Sequence, residues 1–194
     1  MTRREEVVDA AERILEAEGP TSLTMRRLGA ELQMRAPSLY KHVTGKDDIE
    51  AALQERALRS QAEALGPYAD LPGMAQAYRR WASAHPRLYE LTARRRLRRD
   101  RLPDGVEDAA AAPLLAAVGG DVPVARAVWA FAHGLVDLEL ADRFPEDADL
   151  DEVWRVGIAA FVPSGQTGDG GDTAAGAGIT DRPPPEDDPP GRHS

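Results

Sequence analysis

Residues 24–46, TMRRLGAELQMRAPSLYKHVTGK, decide how this chain is read. They carry five basic side chains, Arg26, Arg27, Arg35, Lys41 and Lys46, against a single acid, Glu31. The whole chain of 194 residues has a net charge of −9, so this window inverts the local sign. Both lysines of the chain fall inside it. A small positive surface on an acidic protein points to a polyanion held at one defined place. Thr24 is suited to cap a helix that turns Met25, Leu28 and Leu32 inward. Gln33 and Met34 make a turn, and Pro37 pre-sets a short third helix anchored by Leu39 and Val43. Thr44-Gly45 breaks that helix. Thr44 with Asp47 is then expected to box the start of a fourth, carrying Ile49, Leu53 and Ala57.

Working outward, Thr2 and Glu5 form a capping box ahead of an apolar stripe of Val7, Val8, Ala11, Ile14 and Leu15, which Gly19-Pro20 ends. Downstream, residues 73–84 place Met74, Ala77, Tyr78 and Trp81 at core spacing; His85-Pro86 interrupts, and a helix resumes over 87–97. Residues 105–118 are Ala-rich, Asp121 caps a helix over about 122–142, and a last helix covers about 149–162. The expected fold class is all-α with about nine helices. Hydrophobic residues at 42% suffice for a core, and aromatics at 5% make it one of Ala, Leu and Val. The absence of cysteine excludes disulfides, thiolate chemistry and Cys-based zinc sites. No stretch approaches the roughly 20 apolar residues of a membrane span, and the N-terminus lacks the apolar run of a signal peptide. The expectation is a soluble, cytoplasmic protein. Residues 164–194 hold 12 Gly or Pro in 31 positions and are expected to form a disordered acidic tail.

A helix that enters the DNA major groove needs small or polar residues on its leading face and apolar residues behind. Segment 36–42, APSLYKH, meets that requirement. Leu39 faces the core, while Ala36, Pro37, Ser38 and Lys41 can face base edges. Arg26, Arg27 and Arg35 are candidates for phosphate or groove contacts. Tyr40 and His42 can donate to phosphate oxygens, which position without specifying. Lys46 sits in the first turn of a helix, where the macrodipole disfavours a cation by roughly 0.3–1 kcal/mol. A bound phosphate makes both the helix end and the lysine favourable.

Residues 2–58 resemble the N-terminal domain of the TetR family of bacterial transcriptional regulators. The resemblance runs through Thr24-Met25-Arg26-Arg27-Leu28, Ala36-Pro37-Ser38-Leu39-Tyr40-Lys41-His42-Val43 and Lys46-Asp47-Asp48-Ile49. It implies a homodimer whose recognition helices read successive half-sites of a palindromic double-stranded operator. By the same resemblance Thr24, Tyr40, His42 and Lys46 match phosphate contacts, and Arg35, Pro37, Ser38 and Lys41 match groove contacts. Two positions depart from the pattern: Gln33 stands where the turn usually holds Gly, and Gly29 where Ala is common. A φ above zero at Gln33 would cost about 1 kcal/mol, and Gly29 gives up ~1 kcal/mol of helix propensity.

Residues 73–162 resemble a TetR-type effector and dimerisation domain through Trp81-Ala82-Ser83-Ala84-His85-Pro86 and Trp129-Ala130-Phe131-Ala132-His133-Gly134. The implied domains are a DNA-binding head over 1–47, a ligand-binding and dimerisation unit over 48–163, and the tail. The stripe Val124, Val128, Phe131, Leu135 and Leu138 is the expected dimer face. Trp81, His85, Tyr89, Trp129 and His133 are the expected lining for a small, largely apolar effector. Each of these five also reads well as an ordinary core residue. The run Arg94–Arg101 holds six arginines in eight residues and is expected to be a solvated connection or an ion-pair partner for nearby acids, with extra DNA, acidic-partner or anionic-ligand contacts as the alternative.

The expected function is a ligand-responsive DNA-binding regulator, most often a repressor in this family. A helical interaction protein that has lost operator binding, and a transcriptional activator, are the alternatives. Neither HExxH, GxSxG nor a phosphate-binding Gly loop is present, and the four histidines are scattered, so no catalytic site, metal or cofactor is expected.

Overall fold

The computed structural model describes residues 2–162. Among these, nine helices and no strand are found: α1 (Arg3–Glu18), α2 (Met25–Glu31), α3 (Ala36–Leu39), α4 (Lys46–Leu65), α5 (Leu71–Ala84), α6 (Pro86–Ala93), α7 (Val106–Ala117), α8 (Val122–Leu140) and α9 (Leu150–Ala159). The all-helical expectation holds. The expected tail, 164–194 with His193, lies outside the described residues. No single helix among the described residues is long and apolar enough to cross a membrane.

Local chemistry sets most of the helix starts. Thr2 caps α1, with the reciprocal Glu5 contact to the Thr2 backbone completing the box. Thr24 accepts from the Arg27 N–H at 3.1 Å, and Asp70, Asp121 and Asp149 cap α5, α8 and α9 in the same way. Such caps are worth roughly 0.5–2 kcal/mol each. The start of α4 departs from expectation. Its cap is Gly45 at φ +150°, which no side chain assists, so the helix begins one residue later than a Thr44 cap requires. The carboxylate that reaches back belongs to Asp48, which accepts from the Thr44 N–H at 2.8 Å.

Three helices form the head. Val7, Ile14 and Leu15 of α1 meet Leu28 of α2, Leu39 of α3 and Val43 just beyond it, all at most 1% exposed. Burial of each Leu or Ile side chain contributes about 1.5–3 kcal/mol. Gln33, in the α2–α3 turn, has φ +53°, so the strain expected of a non-glycine residue there is present. Gly29 has its own reason. The Met34 N–H donates to the Gly29 carbonyl at 2.8 Å, and a Cβ on Gly29 would lie 2.9 Å from the Met34 carbonyl oxygen. The turn folds back too closely for alanine without a shift.

Helix α4 is the spine. It packs on α1 and on α5, α6 and α7. The domain boundary expected after residue 47 therefore falls within the first turn of a continuous helix. Helix α6 ends at Ala93 rather than near residue 97. Beyond it, Gln54 of α4 takes backbone groups that a continuing helix would have used: its amide donates to the Leu91 and Arg96 carbonyls, and its oxygen accepts from the Arg98 N–H.

The stripe expected at a dimer face is mostly inside the chain. Val128 and Leu135 are buried, Val124 is half-buried, and Phe131 packs edge-on against Trp154 of α9 and against Phe161. Only Leu138 is exposed. The helical period reveals that a face is covered, not what covers it; here α5 and α9 cover much of it.

Candidate nucleic-acid interface

The helical turn from Ala36 to Val43 is fixed from behind. Leu39 and Val43, one turn apart, are buried, and the Val43 N–H donates to the Leu39 carbonyl at 3.2 Å. The period then turns Tyr40 and Lys41, between them, and Pro37 and Ser38, ahead of Leu39, away from the core. Pro37, Ser38, Tyr40 and Lys41 are all exposed, Tyr40 by 54%, which is unusual for a large aromatic. An exposed phenol beside an ammonium forms a row of donors suited to phosphates and base edges. Arg26 and Arg35 are exposed on the same head, and Arg35 is the N-cap residue of α3. Thr24 is exposed, with its hydroxyl used as a cap.

The remaining site residues are held by protein partners. Arg27 bonds Glu18 at 2.6 Å and Glu31 at 2.9 Å, so a phosphate must compete with two carboxylates for it. These contacts hold the guanidinium well above its usual range, through the Glu18 bond first and the Glu31 bond second. Lys46 is the first residue of α4, exposed, with its ammonium 3.8 Å from the Glu50 carboxylate. His42 is half-buried, and its carbonyl accepts from Arg4.

Arg4 and Asp48 clamp the exit of the exposed turn, a role the sequence reading gave to neither. The Arg4 guanidinium grips both Asp48 oxygens, at 2.7 and 3.1 Å, and also the His42 carbonyl at 3.2 Å. One fork thereby ties the start of α1 to both sides of the α3–α4 turn. The Arg4 hydrogen bond, and next the Thr44 N–H, outweigh burial and hold the Asp48 carboxyl down to about 2 from 3.8. A carboxylate depressed on folding contributes stability that is full above the unfolded value and is lost as pH falls through the folded one. With solvent screening of the half-exposed Arg4, that contribution is about 1–2 kcal/mol. Asp48→Asn is expected to lose it at neutral pH and to flatten the fall in stability between about pH 4 and 2. Urea unfolding at a series of pH values measures both; an unchanged pH profile would remove the clamp from the account.

The expected effector residues form a row of touching rings. Tyr78 stacks on Trp81 at 6.2 Å and meets Tyr89 edge-on at 6.4 Å; Tyr89 is 5.5 Å from His133, which Trp129 covers at 5.4 Å and 11°. His85 lies against Trp81 at 6.2 Å. Trp81 is buried, with its indole N–H on Ser60, whereas Trp129 is 49% exposed. The Tyr89 hydroxyl donates to the His133 carbonyl at 3.1 Å and lies 2.8 Å from His133 Nδ1. Burial lowers the His133 pKa, consistent with a neutral ring. Two cavities lie elsewhere: one of about 650 Å³ beside the arginine run, another of about 280 Å³ at residues 99–108.

Comparison with known proteins decides the family. Residues 7–53 match the family described as "Bacterial regulatory proteins, tetR family", and residues 71–161 match "Tetracyclin repressor-like, C-terminal domain". The chain belongs to the TetR family. It is 32% identical over 173 residues to the uncharacterized HTH-type transcriptional regulator Rv0681 of Mycobacterium tuberculosis, covering 78% of this chain and 76% of that one. It is 33% identical over 106 residues to the HTH-type transcriptional repressor DrrR1 of Streptomyces coeruleorubidus, covering 52% of this chain and 39% of that one. Among solved structures, the multidrug binding protein EbrR complexed with imidazole shares the fold with a TM-score of 0.65 at 23% identity, over 86% of this chain and 98% of that one. The TetR-type assignment makes the chain a helix-turn-helix transcriptional regulator rather than an enzyme. Proteins of this family bind DNA operators, act as dimers and bind small-molecule effectors.

Proposed function

We propose that this TetR-type regulator is a repressor that reads a palindromic operator as a homodimer in the cytoplasm and is released by a small, largely apolar effector. The observation that carries the reading is the exposed row Pro37, Ser38, Tyr40 and Lys41 on a turn locked from behind by Leu39 and Val43. The Tyr40 and Lys41 side chains take no hydrogen bond or ion pair among the described residues, and the chemistry of the row is that of groove and phosphate contact. Lys46 at the start of α4 and the exposed Arg26 and Arg35 extend it. The repressor reading draws on DrrR1, and the apolar effector on the ring row whose open end is Trp129.

A dimer face consistent with the fold lies outside the buried stripe. Val122, Trp129 and Leu140 of α8 are exposed at spacings of seven and eleven residues, which share one helical face, and α9 exposes Val153 and Val156. Two such helix pairs meeting would bury this apolar surface and double the phosphate contacts of a single head. Val156→Glu, at a position 54% exposed, is expected to yield a folded monomer with weakened operator binding. Sedimentation velocity reads the outcome, and a variant that sediments as the parent does would remove α9 from the interface.

The test of function is fluorescence anisotropy on the DNA upstream of the chain's own gene. Saturable binding at moderate salt is expected, and Lys46→Ala should weaken it several-fold and lower the salt slope by about one per head. Absence of specific binding, with Lys46→Ala indistinguishable from the parent, overturns the proposal.

A further inference from the structure

Of the six arginines of 94–101, all but Arg98 are exposed, and among the described residues all but Arg96 pair with an acid. The loop is pinned to α4 by Gln54, only 1% exposed, through two backbone hydrogen bonds, to the Arg96 carbonyl at 3.2 Å and from the Arg98 N–H at 2.9 Å, with a third to the Leu91 carbonyl at the end of α6. Its side chains then surround a cavity of about 650 Å³, lined by Arg95, Arg96, Arg98 and Arg99 with Glu50 and Asp100 as the acids. That volume is in the range of small-molecule sites. Asp47 and Glu107 join Glu50 and Asp100 from just outside, so four carboxylates face four arginines and Lys46. Glu50, 8% exposed, is shared by Lys46 at 3.8 Å and by Arg95 and Arg98 at 3.4 Å each. The short contacts of Arg98 and Arg99 go to Asp47 at 2.7 Å and Glu107 at 2.8 Å. Arg96 has no ion-pair partner among the described residues.

A backbone held by Gln54, a roomy void and four converging guanidinium forks, of which Arg96 is without a carboxylate, make a prepared anion site. We propose that this cavity binds a small-molecule polyanion bearing phosphate or carboxylate groups. The site stands apart from the ring row and has the opposite chemistry. Its regulatory consequence rests on the DNA-binding reading above; the site itself does not. A bound polyanion draws Arg95 and Arg98 away from Glu50 and Asp47. Glu50, buried and negative, is then left with Lys46, the residue placed at a DNA phosphate. Polyanion and operator thus compete for the pairing of one carboxylate, and each lowers the affinity of the other by the same factor.

The experiment is isothermal titration calorimetry of the full chain, without DNA, with inorganic pyrophosphate and with citrate at constant ionic strength. Saturable binding of at least one probe is expected, at one per chain, and whichever probe binds assigns phosphate or carboxylate chemistry. The double variant R96Q/R99Q is expected to weaken it at least tenfold while its circular dichroism melt stays that of the parent. The single variant R96Q, which breaks no ion pair, is expected to weaken it several-fold and covers the case of a misfolded double variant. Lys41→Ala, on the DNA-facing turn, is expected to change nothing. No saturable heat with either probe, equal affinity in R96Q, or a loss with Lys41→Ala would overturn the proposal. DNA binding, measured separately without anion, stands or falls independently of these outcomes. If R96Q/R99Q weakens anion-free DNA binding as much as Lys46→Ala does, the loop is a DNA contact and the anion site is overturned.

Discussion

Replacing Tyr40 and Lys41 together by alanine is expected to raise the operator Kd by about 100-fold or more and to leave the fold intact. The size follows from what the two side chains would supply: a groove contact worth ~1–3 kcal/mol and a phosphate contact whose counterion release is lost with it. In a dimer both losses occur twice. The fold is spared because both side chains are exposed and neither takes a hydrogen bond or ion pair among the described residues. Leu39 and Val43, which hold the turn, are untouched. Anisotropy at fixed salt measures the first effect and a thermal melt the second. A variant within threefold of the parent on operator DNA, with an unchanged melt, would mean that another face reads DNA. The helical interaction protein considered from the sequence would then be the better account.

The exposed turn was legible because its signals are local. Thr24 as cap, Pro37 in the first turn and the spacing of Leu39 and Val43 act within a few residues of where they stand in the chain. Gln33 was legible for the same reason, since a tight turn between two helices demands a positive φ whatever residue is there. What the sequence withheld is mostly a matter of which surfaces meet. The α8 stripe announced a buried face, and within the chain α5 and α9 cover much of it. Gly157 of α9 marks the closeness of that packing, since a Cβ there would lie 1.9 Å from the Phe131 ring, but a lone glycine in a helix does not say what approaches it. The expected effector residues were brought together as a row of touching rings, an arrangement that serves core packing as well as recognition. The Arg4–Asp48 fork joins positions 44 residues apart, and charges so separated carry no pattern in the chain.

Gln54 is the clearest such case, and its replacement carries the largest expected loss of stability. A glutamine in the middle of an amphipathic helix reads as a solvent-facing residue. In the fold it is buried, and its one amide satisfies the Leu91 and Arg96 carbonyls and the Arg98 N–H. Gln54→Leu keeps the volume and strands all three groups. An unsatisfied buried polar group costs about 1–3 kcal/mol, and part of the loop can turn to water, so a total of about 2–5 kcal/mol is expected. For a domain of this size that lowers Tm by roughly 5–15 °C. Gln54→Glu separates the two halves of the role. It keeps an acceptor for Arg98 but offers no donor to the two carbonyls, and it adds a charge where Glu50 already attracts the arginines. Thermal and urea unfolding of both variants measure the cost, and a loss below about 1 kcal/mol for Gln54→Leu would show that the loop does not depend on this residue. The consequence reaches the head through α4. With the loop freed, Arg95 and Arg98 no longer sit beside Glu50 and Asp47, and the first turn of α4, with Lys46 in it, loses the partners that fix its charge. Operator binding by Gln54→Leu, measured below its melting range, should therefore change although residue 54 lies two turns from Lys46 along α4.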